Sequence, residues 1–276
     1  MPDLFAVACH FDDISVTDAY TGAAAFQGQF SSFNESAPDG TVAKKRTLSV
    51  RPGTAIPARR VIGFLGETWI VGDGNVDGIY DAAIRQAHWM KKVTTSAELL
   101  TPAQVCAGTV GYAMYVSKDY LKDTVNGVTD TEYDPFWDIY AGMTEAAPKG
   151  SYLKIGATLF RVRGSHIESA GFLLMQCDEI DSNNIVTLTV QTGAAFDPIT
   201  DTFTGSSATV TGIRLEPSKF YKYTSQADAK YNSGDVSCLV GSTLKVGTTV
   251  LISGLRYRVM AVQPELDAFN LHLRVN

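Results

Sequence analysis

Asp73-Gly74-Asn75-Val76-Asp77-Gly78 comes closest, by residue type and spacing, to a chemical site. Alternating carboxylate and amide oxygens with a glycine bend make the opening half of a calcium loop, where oxygen ligands converge on a hard cation. The closing half of that pattern needs a bidentate glutamate at its last position, and Ile84 stands there. The segment therefore reads as a structural turn, and no metal is expected. The 4 histidines, His10, His88, His166 and His272, share no ligand spacing. In the close pair Cys9-His10 a strand would point the two side chains to opposite faces. Nucleophile elbows, phosphate-binding glycine loops, dinucleotide fingerprints and paired zinc-binding histidines are all missing from the sequence. Carboxylates such as Asp12-Asp13 and Asp178-Glu179 are adjacent in sequence, which does not place them across a cleft. The expectation is a non-enzyme without a cofactor.

Two clusters could serve interaction instead. Lys44-Lys45-Arg46 is the dense basic run. It reads either as a solvated strand edge, where charge discourages stray pairing, or as a docking patch for an acidic partner. Tyr133, Phe136, Trp137 and Tyr140 gather aromatics in the least regular stretch of the chain. Aromatics are enriched at interface cores, but a long loop also uses them to fasten itself to its own domain, and both readings stay open.

The chain of 276 residues is 45% hydrophobic and 19% charged, which suits a folded protein of one or two domains. Its formal net charge of -6 disfavours static binding to phosphate backbones. Cys9, Cys106, Cys177 and Cys238 are widely spread and are expected as buried, reduced thiols. The start, "MPDLFAVACHFDD", is not expected to act as a secretory signal, and no apolar run is long enough to span a membrane. Synthesis in a cytoplasm and no membrane partner are expected.

The elements that would position these residues are mostly strands. Residues 1–20 read as an N-terminal arm. A first β domain with a short helix is expected over 21–117, a long loop or linker over 118–150, and a second β domain over 151–276. "ARRVIGFLGETWIVGDGN" (58–75) reads as a hairpin turning near Gly66-Glu67. Tyr80, Ala83, Ile84 and Ala87, with Asp81 early and Lys91 and Lys92 late, predict a helix over 78–92, with a strand through 83–90 as the alternative. Thr101-Pro102 reads as a helix start.

Phrases recur. Leu153-Lys154-Ile155-Gly156-Ala157-Thr158 is echoed by Leu244-Lys245-Val246-Gly247-Thr248-Thr249. Gly66-Glu67-Thr68-Trp69-Ile70-Val71 and Gly254-Leu255-Arg256-Tyr257-Arg258-Val259 share Gly-x-x-aromatic-x-Val. The middle stretch, Thr158 to Gly164, shares the Leu-Lys entry but reads as lacking the aromatic after its glycine. Glycine permits the turn, and the aromatic fills the core of a small curled sheet. The expected fold is mainly β: two small barrel- or sandwich-like regions built of Src-homology-3-like hairpin units, a short N-terminal arm and one or two short helices.

"RTLSVRPGTAIPARRVIGFLGETWIVGDGN" and "VLISGLRYRVMAVQPELDAFNLHLRVN" resemble the strand-hairpin-strand units of head-to-tail connector proteins of tailed bacteriophages, the adaptor, stopper or collar components beneath the portal. The resemblance implies a structural subunit of a homo-oligomeric ring in the virion neck, assembled in the host cytoplasm. It further implies portal, tail or other neck proteins as partners, and a channel that passes DNA without specific binding. Alternatives are a tail-tube, terminator or capsid-decoration protein, or a β-rich hydrolase or carbohydrate-binding module.

Overall fold

The computed structural model describes residues 14–36, 42–79, 82–122, 136–142, 147–197, 199, 202–215 and 234–275. The first six strands are β1 (Ile14–Asp18), β2 (Ala24–Ser36), β3 (Val42–Val50), β4 (Val61–Phe64), β5 (Glu67–Ile79) and β6 (Ala82–Lys92), and they close into a barrel in the order β1-β2-β3-β6-β5-β4. The next set is β7 (Thr95–Leu100), β8 (Tyr112–Lys122), β9 (Phe136–Ala141), β10 (Tyr152–Ile155), β11 (Thr158–Ile167) and β12 (Leu173–Ile180), with helix α1 (Pro102–Ala107) after β7. It forms a ring ordered β7-β8-β9-β12-β11-β10. The last set is β13 (Ile185–Asp197), β14 (Thr202–Leu215), β15 (Val236–Val240), β16 (Thr249–Ile252), β17 (Leu255–Glu265) and β18 (Ala268–Val275), a barrel ordered β13-β14-β15-β18-β17-β16. In each set the strands run first, second, third, sixth, fifth, fourth around the ring. The mainly β fold built of small barrels is as expected, with a closed barrel at each end of the described chain and a ring between them in sequence.

The chain divides into two compact units, and the middle strands contribute to both. One unit holds the first barrel with Ala113–Lys149 and Val162–Asp178, and the other holds Glu98–Tyr112, Gly150–Arg161 and the last barrel. In the first unit Val16, Leu48, Val50, Ile62, Phe64, Trp69, Val71 and Met90 make a buried core. Ile70, Tyr140, Phe172 and Leu174 form a second, smaller cluster there. The second unit buries Leu188, Val190, Val236, Cys238, Val250, Tyr257, Val259, Leu271 and Leu273 inside its barrel. Leu100, Tyr152, Leu159, Ile213, Leu215 and Leu239 form a separate cluster in that unit.

Each ring carries a tight hairpin between its fourth and fifth strands, and the three share one register. Ile62 pairs with Trp69, Leu153 with Phe160, and Val250 with Tyr257. Two residues beyond each aromatic lies a buried valine: Val71, Val162 and Val259. The middle hairpin thus has its aromatic, contrary to the sequence expectation. It was hidden because the glycine moves by one place. Leu65-Gly66 and Ser253-Gly254 turn with positive φ at both residues, whereas in Gly156-Ala157 only the glycine, placed first, is left-handed. The first two fit a type I′ turn, and the third fits the II′ arrangement with glycine leading. The Leu-Lys phrase does not superpose. Leu153 to Ile155 lie in β10, while Leu244 to Gly247 precede β16.

Four expectations need correction. Residues 78–79 and 82–92 are not helical: β5 runs to Ile79 and β6 pairs with β3 on one side and β5 on the other, while Tyr80 and Asp81 lie outside the described residues. His88 and Met90 are buried while Trp89 between them is exposed, a period of two that the barrel imposes over helical spacing. The supposed turn at Asp73–Gly78 lies within β5, where register shifts between Val71 and Gly74 and between Asp77 and Gly78 mark bulges. Within 118–150, expected to be loop, β8 extends to Lys122 and β9 pairs with β12. Ile14 to Asp18, assigned to the arm, form the barrel strand β1, and the rest of the arm before residue 14 lies outside the described residues. Helix α1 begins as expected: Thr101 caps it, Gln104 completes the capping box, Pro102 opens the first turn, and Gly108 closes it in the left-handed conformation.

Candidate functional site

The aromatics of β9 are held by cations. β9 lies between β8 and β12, with Leu121 opposite Trp137 and Ser117 opposite Tyr140 on one side, and Cys177 and Leu174 opposite the same residues on the other. The Lys118 ammonium sits 3.6 Å from the Trp137 ring centroid, and the Lys91 ammonium 3.1 Å from that of Tyr140. The Arg163 guanidinium stands 5.7 Å over Phe136 and is ion-paired with Asp178. Such contacts contribute about 0.5–2 kcal/mol each, more where water is excluded. Lys91 also binds Asp119 Oδ2 at 2.7 Å. Tyr140 packs edge-on against Phe172 and donates its hydroxyl to Glu168 Oε1 at 3.5 Å. Burial, followed by the carboxylates of Glu168, Asp119 and Asp138, holds the Tyr140 phenol well above its ordinary pKa. The phenol therefore stays a neutral donor. Phe136, Trp137 and Tyr140 are brought together on one short strand and engaged by their own unit; Tyr133 lies outside the described residues.

Lys44, Lys45 and Arg46 occupy β3, opposite Asn34, Phe33 and Ser32 of β2. Lys45 and Arg46 are paired on the other side as well, with Lys91 and Met90 of β6. At these two positions the strand is internal to the barrel, so the reading of a solvated strand edge is corrected there.

The calcium-like segment is engaged otherwise. Arg60 Nη1 donates to Gly72 O and to Asp73 Oδ1, each at 3.0 Å, and Asp73 N donates to Ala170 O at 2.8 Å. His88, buried beneath the bulge, donates from Nδ1 to Gly72 O at 3.1 Å. Burial lowers its pKa, so the imidazole is held neutral. Gly74 leaves room for the ring, since a Cβ there would come within 2.6 Å of it. Among the described residues no group of three or more His, Cys, Asp or Glu side chains is placed to hold a metal ion.

Sequence reasoning missed a polar cluster on the last barrel. His272 Nε2 lies 2.8 Å from Asp235 Oδ2, and Arg274 approaches the same oxygen at 3.4 Å. Ser237 Oγ donates to Asn270 Oδ1 at 2.7 Å. Ser237 and His272 are cross-strand partners on β15 and β18, on the face opposite the core residues Val236, Cys238, Leu271 and Leu273. With Asp235 and His272 side chains only 2% and 4% exposed, the cluster is a buried buttress between two strands rather than a site open to substrate. The strand alternation around Ser237 could have placed these residues on one face, but nothing local in the sequence announces the pairing.

Comparison with known proteins adds no relative: no family model matches the chain, and neither a curated protein nor a solved structure matches it. No helix among the described residues is long and apolar enough to cross a membrane.

Proposed function

We propose that the protein is a structural, non-enzymatic subunit of a tailed-bacteriophage neck, forming a homo-oligomeric ring between portal and tail that seals or extends the DNA channel. The observation that carries this reading is the repetition of one strand order in three successive six-stranded rings. A chain that repeats a closed β unit, each with the same aromatic hairpin, is spending its length on scaffold. The engaged aromatics of β9 and the buried Asp235–His272 pair serve that scaffold too. The formal charge of -6 suits a channel wall that does not retain DNA, because like charge disfavours phosphate contacts. Electron microscopy of the purified chain mixed with its portal tests the reading. Rings bound to the portal are the expected result; a chain that stays monomeric and has no affinity for portal or tail would sink it.

A further inference from the structure

The bulge in β5 is fastened from two sides. Gly72 O accepts from Arg60 Nη1 at 3.0 Å and from His88 Nδ1 at 3.1 Å, and Arg60 also holds the Asp73 carboxylate. One residue on, Asp73 N donates at 2.8 Å to Ala170 O, in the segment 168–172 that joins β11 to β12. That segment belongs to the same compact unit as the first barrel. Backbone meets backbone here: a Cβ on Gly72 would come within 2.1 Å of Ala170 O, and one on Gly171 within 2.3 Å of Asp73 N. The β11–β12 turn is thus docked on the bulge through glycines, and the bulge keeps its shape through Arg60 and His88.

The same junction carries two unfavourable features. Arg60 holds φ at 50°, a left-handed backbone that strains any residue with a Cβ. His88 is buried with its Nε2 lacking a hydrogen-bond partner among the described residues. In the neutral ring Nε2 is an idle acceptor; protonated, it becomes a buried donor without an acceptor, on a cation that shares Gly72 O with the Arg60 guanidinium. Burial is the main influence that keeps the ring neutral; the Gly72 bond favours the charge, Arg60 opposes it and Asp73 favours it. The other neighbours bring no charge: Leu48 stands opposite on β3, Gly74 opposite on β5, and Gln86 and Met90 lie two residues away on β6. Gly74 lies so close over the ring that a Cβ there would come within 2.6 Å, so the ring leaves this place only if the bulge moves.

We propose that this junction is an acid-released latch: protonation of His88 displaces the bulge at Gly72-Asp73 and frees the β11–β12 turn from the first barrel. The device is local, because the bond that is lost joins the bulge to the turn, while the β4–β5 hairpin keeps its own pairing. The test follows amide exchange in the full chain from pH 7.5 to 5.5, corrected for the intrinsic exchange rate at each pH. In the open form His88 is hydrated and titrates near about 6.5, so below that pH opening takes up a proton that the latched form refuses. Protection of the Asp73 and Gly171 amides is expected to fall by up to about tenfold per pH unit, with Ile62 and Trp69 unchanged. His88→Gln is uncharged at every pH and should hold the Asp73 profile flat. Gly171→Ala, whose Cβ would press on Asp73 N from the side of the turn, should expose the same amides already at pH 7.5. In the wild-type chain the His88 imidazole resonances should change together with the loss of protection, a readout that needs no variant. A flat wild-type profile, an equal fall in His88→Gln, or a ring that titrates apart from the loss overturns the proposal. A fall shared by Ile62 and Trp69 also overturns it, since the barrel would then be unfolding as a whole.

Discussion

Phe160 faces Leu153 across the middle hairpin in the register in which Trp69 faces Ile62 and Tyr257 faces Val250. All three aromatics are buried, and each is followed two residues on by a buried valine. The same pair of core contacts therefore anchors each ring at the same topological point, between its fourth and fifth strands. Trp69→Ala and Phe160→Ala should each cost about 3–5 kcal/mol, because removing a buried ring forfeits its transfer energy and leaves a cavity. Denaturant unfolding of each variant, followed with hydrogen exchange, should locate the loss of protection in the ring that carries the substitution. Uniform loss across all three rings would argue against separately anchored rings.

Leu65 holds φ at 48° in the β4–β5 turn and is 74% exposed. Left-handed backbone costs a residue with a Cβ roughly 1–2 kcal/mol, and an exposed leucine recovers little of it by burial. Leu65→Asn, which creates the Asn-Gly pair that such turns favour, should stabilise by about 0.5–1 kcal/mol. Gly66→Ala meets no neighbour within 4 Å but forces alanine to φ 76°, and should destabilise by roughly 1 kcal/mol. Thermal unfolding of both variants beside the wild type checks the two opposite signs.

His88 gives the first unit a pH dependence. Its folded pKa lies below the unfolded value of about 6.5, because burial disfavours the charged ring. Above that pH the imidazole is neutral in both states and contributes nothing to the slope. As pH falls through about 6.5, the unfolded chain takes up a proton that the folded chain refuses, so stability drops. The drop approaches about 1.4 kcal/mol per pH unit and ends once pH passes the folded pKa. Urea unfolding between pH 7.5 and 5 should show this slope, and His88→Leu should flatten it. An equal slope in wild type and variant would assign the effect to other groups.

Burial raises the thiol pKa of Cys106 to about 11 and those of Cys177 and Cys238 to about 12. Thiolate is the reactive form, so all three should label slowly in the native protein. In a Cys9→Ser background, Ellman's reagent at pH 8 should find little reactive thiol until denaturant is added. Cys106, being half-buried, should then be the first of the three to react as denaturant rises. Rapid stoichiometric labelling of Cys177 or Cys238 without denaturant would contradict the packed cores.

By itself the sequence determined the β character, the hairpins at Gly66 and Gly254, and the capped start of α1, because each follows from interactions within a few residues. Left-handed turns select glycine, and Thr101 and Gln104 meet across a single helical turn. Tertiary structure alone decided the rest. Residues 82–92 satisfy a helical spacing, yet β3 and β5 take their backbone hydrogen bonds and make them a strand. The aromatic of the middle hairpin escaped a motif that counted from glycine, because core register is counted from strand pairing, and a II′ turn shifts the glycine by one. Closure of six strands into a ring joins residues far apart in the chain, such as Thr17 with Gly63 and Leu188 with Ile252. The cations over Trp137 and Tyr140 and the meeting of Asp235 with His272 were equally out of reach of local pattern. They depend on which strands become neighbours, and that follows from burying every apolar face at once, which no short stretch of sequence encodes alone.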